Sequence, residues 1–214
     1  RWLSSFTSML LARTLGNCDN ICEPCVPNFP NGMIVSCTNK SLTKLPDLPY
    51  NVFELKLSHN EFTVLTTGMF NKTELVAKLE FLALDYNMII EIQPSAFWGI
   101  NKLEHLDLSH NYNLKTINSS TFSPLSELSN LSLTHNSIDH IKDFSFQTQE
   151  NLKRLELNDN HLSSIDVHLL KPMVQLQILK LEGNPWICSC IVKAFYMWIH
   201  EFEGNMTGPS CSTP

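Results

Sequence analysis

Six stretches of the chain spell nearly the same alternation of apolar and polar residues: VFELKLSHN, LEFLALDYN, LEHLDLSHN, LSNLSLTHN, LKRLELNDN and LQILKLEGN. Each opens apolar, carries leucine at its fourth and sixth positions, and ends on asparagine at its ninth. A period of two over positions four to seven predicts a short strand. Its leucines face one way, and positions three, five and seven face the other. The fourth-position residues Leu55, Leu82, Leu106, Leu131, Leu155 and Leu179 recur at intervals of 27, 24, 25, 24 and 24. After the asparagine each unit gives further apolar residues, such as Ile89 and Ile92 or Leu162 and Ile165. Most close on a bulky one: Phe70, Phe97, Phe122, Phe146 and Leu170. A unit of this size cannot bury its apolar face alone, so the period predicts a stack of turns sharing one continuous core. A degenerate unit, IVSCTNKSLTKLP at 34–46, precedes the first full one.

These repeats resemble those of extracellular leucine-rich repeat proteins, over about residues 18–211. The resemblance implies an α/β leucine-rich repeat solenoid, with a curved parallel β-sheet on its concave face and disulfide-bonded caps at both ends. Strands stack about 4.8 Å apart, while the opposite side carries wider loops and the bulky Phe column, so the sheet is expected on the inside of the curve. Asn60, Asn87, Asn111, Asn136, Asn160 and Asn184 are expected to be buried where the chain leaves each strand, their amides satisfying backbone groups of adjacent turns.

Four segments follow. Residues 1–17 form an amino-terminal extension, in which Trp2, Phe6, Met9, Leu10 and Arg13 fall near helical spacing and predict a short helix; a signal-peptide remnant is the other reading. Residues 18–50 are a cysteine-rich cap with the degenerate repeat. Residues 51–183 hold about five full repeats and the start of a sixth. Residues 184–214 are a second cysteine-rich cap, in which Ile191, Phe195, Trp198 and Phe202 mark the buried face of a short helix.

The cysteines all fall in the two cap segments. Cys18, Cys22, Cys25 and Cys37 precede the full repeats, and Cys188, Cys190 and Cys211 follow them. The spacing CxxxCxxC also fits a zinc site, and spacing alone does not fix connectivity. The family resemblance implies pairs Cys18–Cys25, Cys22–Cys37 and Cys188–Cys211. It leaves Cys190 without an evident partner, as though the sequence ended inside its cap. Sequons at Asn39, Asn71, Asn118, Asn130 and Asn205 agree with a secretory route and a location outside the cell or on its surface.

A formal charge of −6 disfavours nucleic acid and anionic membranes, whose binding needs clustered Lys and Arg, and favours cationic partners. No apolar run is long enough to cross a bilayer. On the outward sheet positions Asp85, Asp107 and Glu156, with Asp159 nearby, predict an anionic centre. Phe81, Tyr86, His105, Ser132 and Arg154 are the neighbouring contact candidates, since exposed aromatics and Arg often anchor interfaces. A glycan on Asn130 would stand in that face.

An acid–base pair of Asp85 and Asp107 acting on a glycan lacks the pocket and desolvation such chemistry needs, so no catalysis and no cofactor is expected. His110, His135 and Asp159 share one column and form a conceivable zinc triad; local hydrogen bonding of the imidazoles is the simpler account.

Among families, the short capped solenoid resembles the variable lymphocyte receptors of jawless vertebrates and Toll-like receptor ectodomains. That implies non-enzymatic recognition of a microbial surface polymer or protein antigen. An adhesion, matrix or growth-factor-receptor ectodomain that binds host proteins shares every one of these features.

Overall fold

The computed structural model describes residues 22–28, 32–49, 51–71, 78–187 and 192–209. The alternation read from the sequence is realised in every repeat. Leu55, Leu82, Leu106, Leu131, Leu155 and Leu179 stand directly beside one another in parallel register, and with the sixth-position leucines they are buried. The chain is thus a solenoid whose main sheet, among the described residues, has nine strands, with two small two-stranded sheets besides. The nine strands run, edge to edge, Glu23–Asn28, Gly32–Ser36, Val52–Lys56, Phe81–Ala83, His105–Asp107, Asn130–Ser132, Arg154–Glu156, Ile178–Lys180 and Asn205–Thr207. The first pair is antiparallel and all others are parallel.

The far side of the core is a column of phenylalanines. Phe70, Phe97, Phe122 and Phe146 are fully buried, with successive ring centroids 6.1, 6.1 and 5.6 Å apart. Leu170 takes the next place, where a 3₁₀ turn, Val167–Leu169, replaces the earlier backbone path. Sheet on one side and rings on the other bury one continuous core, at roughly 1.5–3 kcal/mol per large apolar side chain.

The asparagines hold the turns together. Asn111 is wholly buried; its amide donates to Leu84 O, Leu108 O and Ser109 O and accepts from Ile89 N. Asn60, Asn87, Asn136 and Asn160 repeat the pattern and are also buried. Asn184 makes the same bonds but is half-exposed, because the last repeat has no further turn of the same kind to cover it. Ser109, expected to face outward, is buried, and its N–H donates to the Asp107 carboxylate.

At the amino-terminal end Cys22 and Cys37 are joined by a disulfide, as the family resemblance implied. That bond removes Cys22 from the zinc alternative. Cys18, Cys188 and Cys211, with their expected pairings, the extension 1–17, Cys190 and Ile191 lie outside the described residues. At the other end the helix Val192–Glu201 lays Phe195 on the core; Trp198 and Phe202 pack beside it with centroids 4.9 Å apart. The strand Asn205–Thr207 then pairs with Ile178–Lys180 and closes the sheet.

Each of the first four units bends twice through left-handed backbone. One bend lies two residues before the bulky closing residue, at Gly68, Ser95, Ser120 and Phe144, with φ of 65, 57, 59 and 63°. A bulky residue there costs about 1–2 kcal/mol, and Phe144, 63% exposed, recovers little of that by burial. Phe144→Asn should therefore raise stability by about 0.5–1 kcal/mol, since Asn tolerates this conformation. Urea denaturation reads the difference; a loss of stability would mean the ring packs to more effect than its exposure implies.

Candidate functional site

The strand positions that point away from the core converge on a shallow hollow in the middle of the sheet. Register places Ala83, Asp107, Ser132 and Glu156 side by side on four consecutive strands, with Phe81, His105, Asn130 and Arg154 as the parallel row two residues earlier. Both rows are half-exposed except for Ala83, which is buried. Phe81, His105, Asp107, Asn130, Ser132, Arg154 and Glu156 line a concavity of about 170 Å³. Six of the nine candidates named from the sequence are thus brought together: Phe81, His105, Asp107, Ser132, Arg154 and Glu156. Asp85 lies one step toward the strand exit, where it accepts a hydrogen bond from Ser58. Tyr86 and Asp159 stand outside the hollow, in the column of eighth positions.

The carboxylates differ in their surroundings. Glu156 is gripped from two strands, by Arg154 at 2.6 Å and Lys180 at 2.7 Å. Burial pushes its pKa up, but hydrogen bonds from Lys180 and Arg154 more than offset this and bring it below the ordinary value. Its charge is therefore compensated, and the anionic centre is narrower than the residue types alone suggest. Asp107 is the reverse case. Burial raises its pKa, only partly countered by Ser109, while Asp85 and Glu156 add like charge. Among the described residues no cation pairs with it. A carboxyl whose folded pKa lies above its unfolded one binds its proton more tightly when folded, so stability falls as pH rises through that window. Ionised Asp107 is a cost to the fold at neutral pH.

Asn130 Nδ2 donates to His105 Nδ1 at 2.7 Å, in the imidazole tautomer that leaves Nδ1 unprotonated. Its amide nitrogen is engaged inside the hollow, whereas Asn39, Asn71 and Asn205 are exposed and Asn118 is half-buried at a turn.

The eighth positions form a second feature. His59, Tyr86, His110, His135 and Asp159 all have left-handed backbone, φ 51–56°, as does Gly183 at 70°. His59 stacks on Tyr86 at 4.3 Å, Tyr86 on His110 at 4.1 Å, and His110 meets His135 at 4.5 Å; His135 Nδ1 then lies 3.5 Å from the Asp159 carboxylate. Stacking of this kind contributes about 0.5–1.5 kcal/mol per pair, comparable with the backbone strain it accompanies. Partial burial, then the neighbouring His135, hold the His110 pKa below its ordinary value, so its ring is neutral at neutral pH. Among the described residues no group of three or more His, Cys, Asp or Glu is placed to hold a metal ion, so the zinc triad is not formed.

Two features escaped the sequence reading. Lys180, not among the candidates named from the sequence, reaches across to Glu156. The residue after each ninth-position asparagine lies at the surface, and it is a large hydrophobic or aromatic one at Met88 and Tyr112 where other turns have Glu61, Ser137, His161 and Pro185. Aligning that tenth position would have shown it.

The sequence matches the family profile described as leucine rich repeat over residues 51–112, 77–138 and 126–185. It is similar to rat reticulon-4 receptor-like 1, at 31% identity over 87% of this chain and 57% of that protein. Rat osteomodulin is 27% identical over 75% of this chain and 30% of its own length. Human CD180 antigen is 29% identical over 75% of this chain and 21% of its own. The chain thus spans between about a fifth and a little over half the length of these three relatives. No described helix is long and apolar enough to cross a membrane. With this register, these buried asparagines and this profile match in hand, the chain belongs to the leucine-rich repeat family.

Proposed function

We propose that this chain is a non-enzymatic recognition module of extracellular type, which binds a microbial surface polymer or protein antigen through its concave face. Asp107 is the observation that carries the reading. It is a half-buried carboxylate in a concavity, destabilising when ionised and, among the described residues, without a cation of its own, two strands from Glu156, which has two. An ammonium or guanidinium group of a ligand supplies the missing partner. Asp85 extends the negative field, and Phe81 and His105, 6.1 Å apart, flank the approach. Asp159 contributes at longer range, while Arg154 and Glu156 shape the floor. The reading needs Asn130 free of glycan, consistent with the engagement of its amide by His105.

The relatives include proteins named receptor and antigen, as well as osteomodulin. That mixture supports a second reading, in which the same face binds a host protein in adhesion, matrix or growth-factor-receptor context. Binding of the secreted chain to whole bacterial cells and to host tissue extract, each at low and high salt, separates the two. Under either reading Asp107→Asn should weaken binding at least about tenfold, or 1.4 kcal/mol, and flatten the salt dependence. The same variant should be as stable as the parent at neutral pH or slightly more so, because the Oδ1 acceptor for Ser109 N remains and the buried charge is gone. Unchanged binding with a fully folded variant would remove the site.

A further inference from the structure

Of the nine exposed large hydrophobic residues among those described, four lie together on two adjacent turns: Tyr86, Met88, Ile90 and Tyr112. Tyr86, Met88 and Tyr112 line the rim where the strands leave the concave face, and Ile90 follows two residues after Met88. Asn111 locks the two turns by accepting from Ile89 N, so Met88 and Tyr112, at the same position of successive turns, are neighbours. Tyr112 meets His110 edge-on at 5.8 Å, with its hydroxyl 2.9 Å from Nδ1, and so joins the stacked column.

The fold does not need this patch. The equivalent positions in the other turns are Glu61, Ser137, His161 and Pro185, and those turns stack in the same register. Exposed apolar side chains gathered on one rim of a concave binding face mark an interaction surface. Tyrosine and methionine are the residue types such surfaces favour.

We infer that this rim is a protein-docking surface continuous with the concave site. Apolar side chains of the partner rest on Met88, Ile90 and Tyr112, while a lysine or arginine reaches past Tyr86 to Asp85 and Asp107. The inference rests on the concave face being the binding site, and it chooses among that site's ligands. Charge argues for a basic partner: Asp85 and Asp159 flank the aromatic column, and Asp107 lies just beyond. Ring geometry argues for protein over polysaccharide. A sugar packs its apolar face flat on an open aromatic face, but Tyr86 and His110 each have a ring stacked on both sides. Apolar protein side chains need no open ring face, only a contiguous surface.

The test pans the full chain against a phage-displayed library of random peptides and, in parallel, against a panel of purified bacterial polysaccharides. Enriched peptides should pair Lys or Arg with aliphatic or aromatic residues. Their affinity should drop at least tenfold for Met88→Glu and for Tyr112→Glu, and hold for Tyr112→Phe. Three results would overturn the inference: peptide binding indifferent to both glutamates, polysaccharide binding alone, or concentration-dependent self-association of the parent that the glutamates abolish. Loss of binding in Asp107→Asn but not in Met88→Glu or Tyr112→Glu would leave the concave site standing without the rim. Loss in the rim variants alone would refute the concave reading on which this inference rests.

Discussion

Asn111→Ala should lower stability by about 3–5 kcal/mol and the melting temperature by on the order of 10 °C. The side chain is wholly buried and serves two turns at once, donating to carbonyls of its own turn and of the preceding one while accepting from Ile89 N. Alanine leaves the Ile89 N–H without its acceptor, at about 1–3 kcal/mol for a buried donor left unmade, and it removes one of the two amide donors to each of the Leu84 and Leu108 carbonyls, which keep Asn87 and Asn136, at about 0.5–1.5 kcal/mol per lost bond. Asn111→Asp should be no milder, since a carboxylate cannot donate and would face the same carbonyls with a buried charge. Thermal and urea denaturation measure both. A loss below about 1 kcal/mol would mean that water takes over the amide's bonds.

Phe122→Ala comes next in size, at about 3–5 kcal/mol. The ring is fully buried between Phe97 and Phe146, nearly parallel to the latter at 2° between planes, so its removal opens a cavity in the middle of the column. The protein supplies its own control. Leu170 occupies the corresponding place in the fifth repeat, and Phe122→Leu should accordingly cost well under half of the alanine value. If the two substitutions cost the same, it is the stacking of rings rather than filled volume that holds the column.

The two lesions differ in how openly the sequence announces them. Leucine alternation and the ninth-position asparagine could be read at once, because one local geometry repeats in every turn and so writes the same letters each time. The register of Leu55 through Leu179 follows from aligning those letters alone, and the Cys22–Cys37 pairing follows from the family resemblance. The site was legible only in part. Asp107 and Glu156 are alike on paper, and only the reach of Arg154 and Lys180, which depends on side-chain paths across strands, makes one compensated and the other free. Tyr86 was named as a concave contact but stands in the exit column, since the left-handed backbone at the eighth position turns it out of the hollow. Met88, Ile90 and Tyr112 went unnoticed because an apolar residue outside the leucine positions looks like more core until the turn is built.

The ladder of identical bonds from turn to turn also separates two kinds of inheritance in this chain. Positions four, six and nine, with the closing phenylalanine, answer to their own copies in the next turn, so a change there must suit two neighbours at once. Positions three, five and ten answer mainly to whatever lies outside, and the stacked eighth positions answer to both. Excising or duplicating one whole turn preserves every such bond and merely slides the outer residues past one another, whereas losing half a turn strands an amide in oil. New specificities are therefore reachable by shuffling complete coils as well as by exchanging single outer residues.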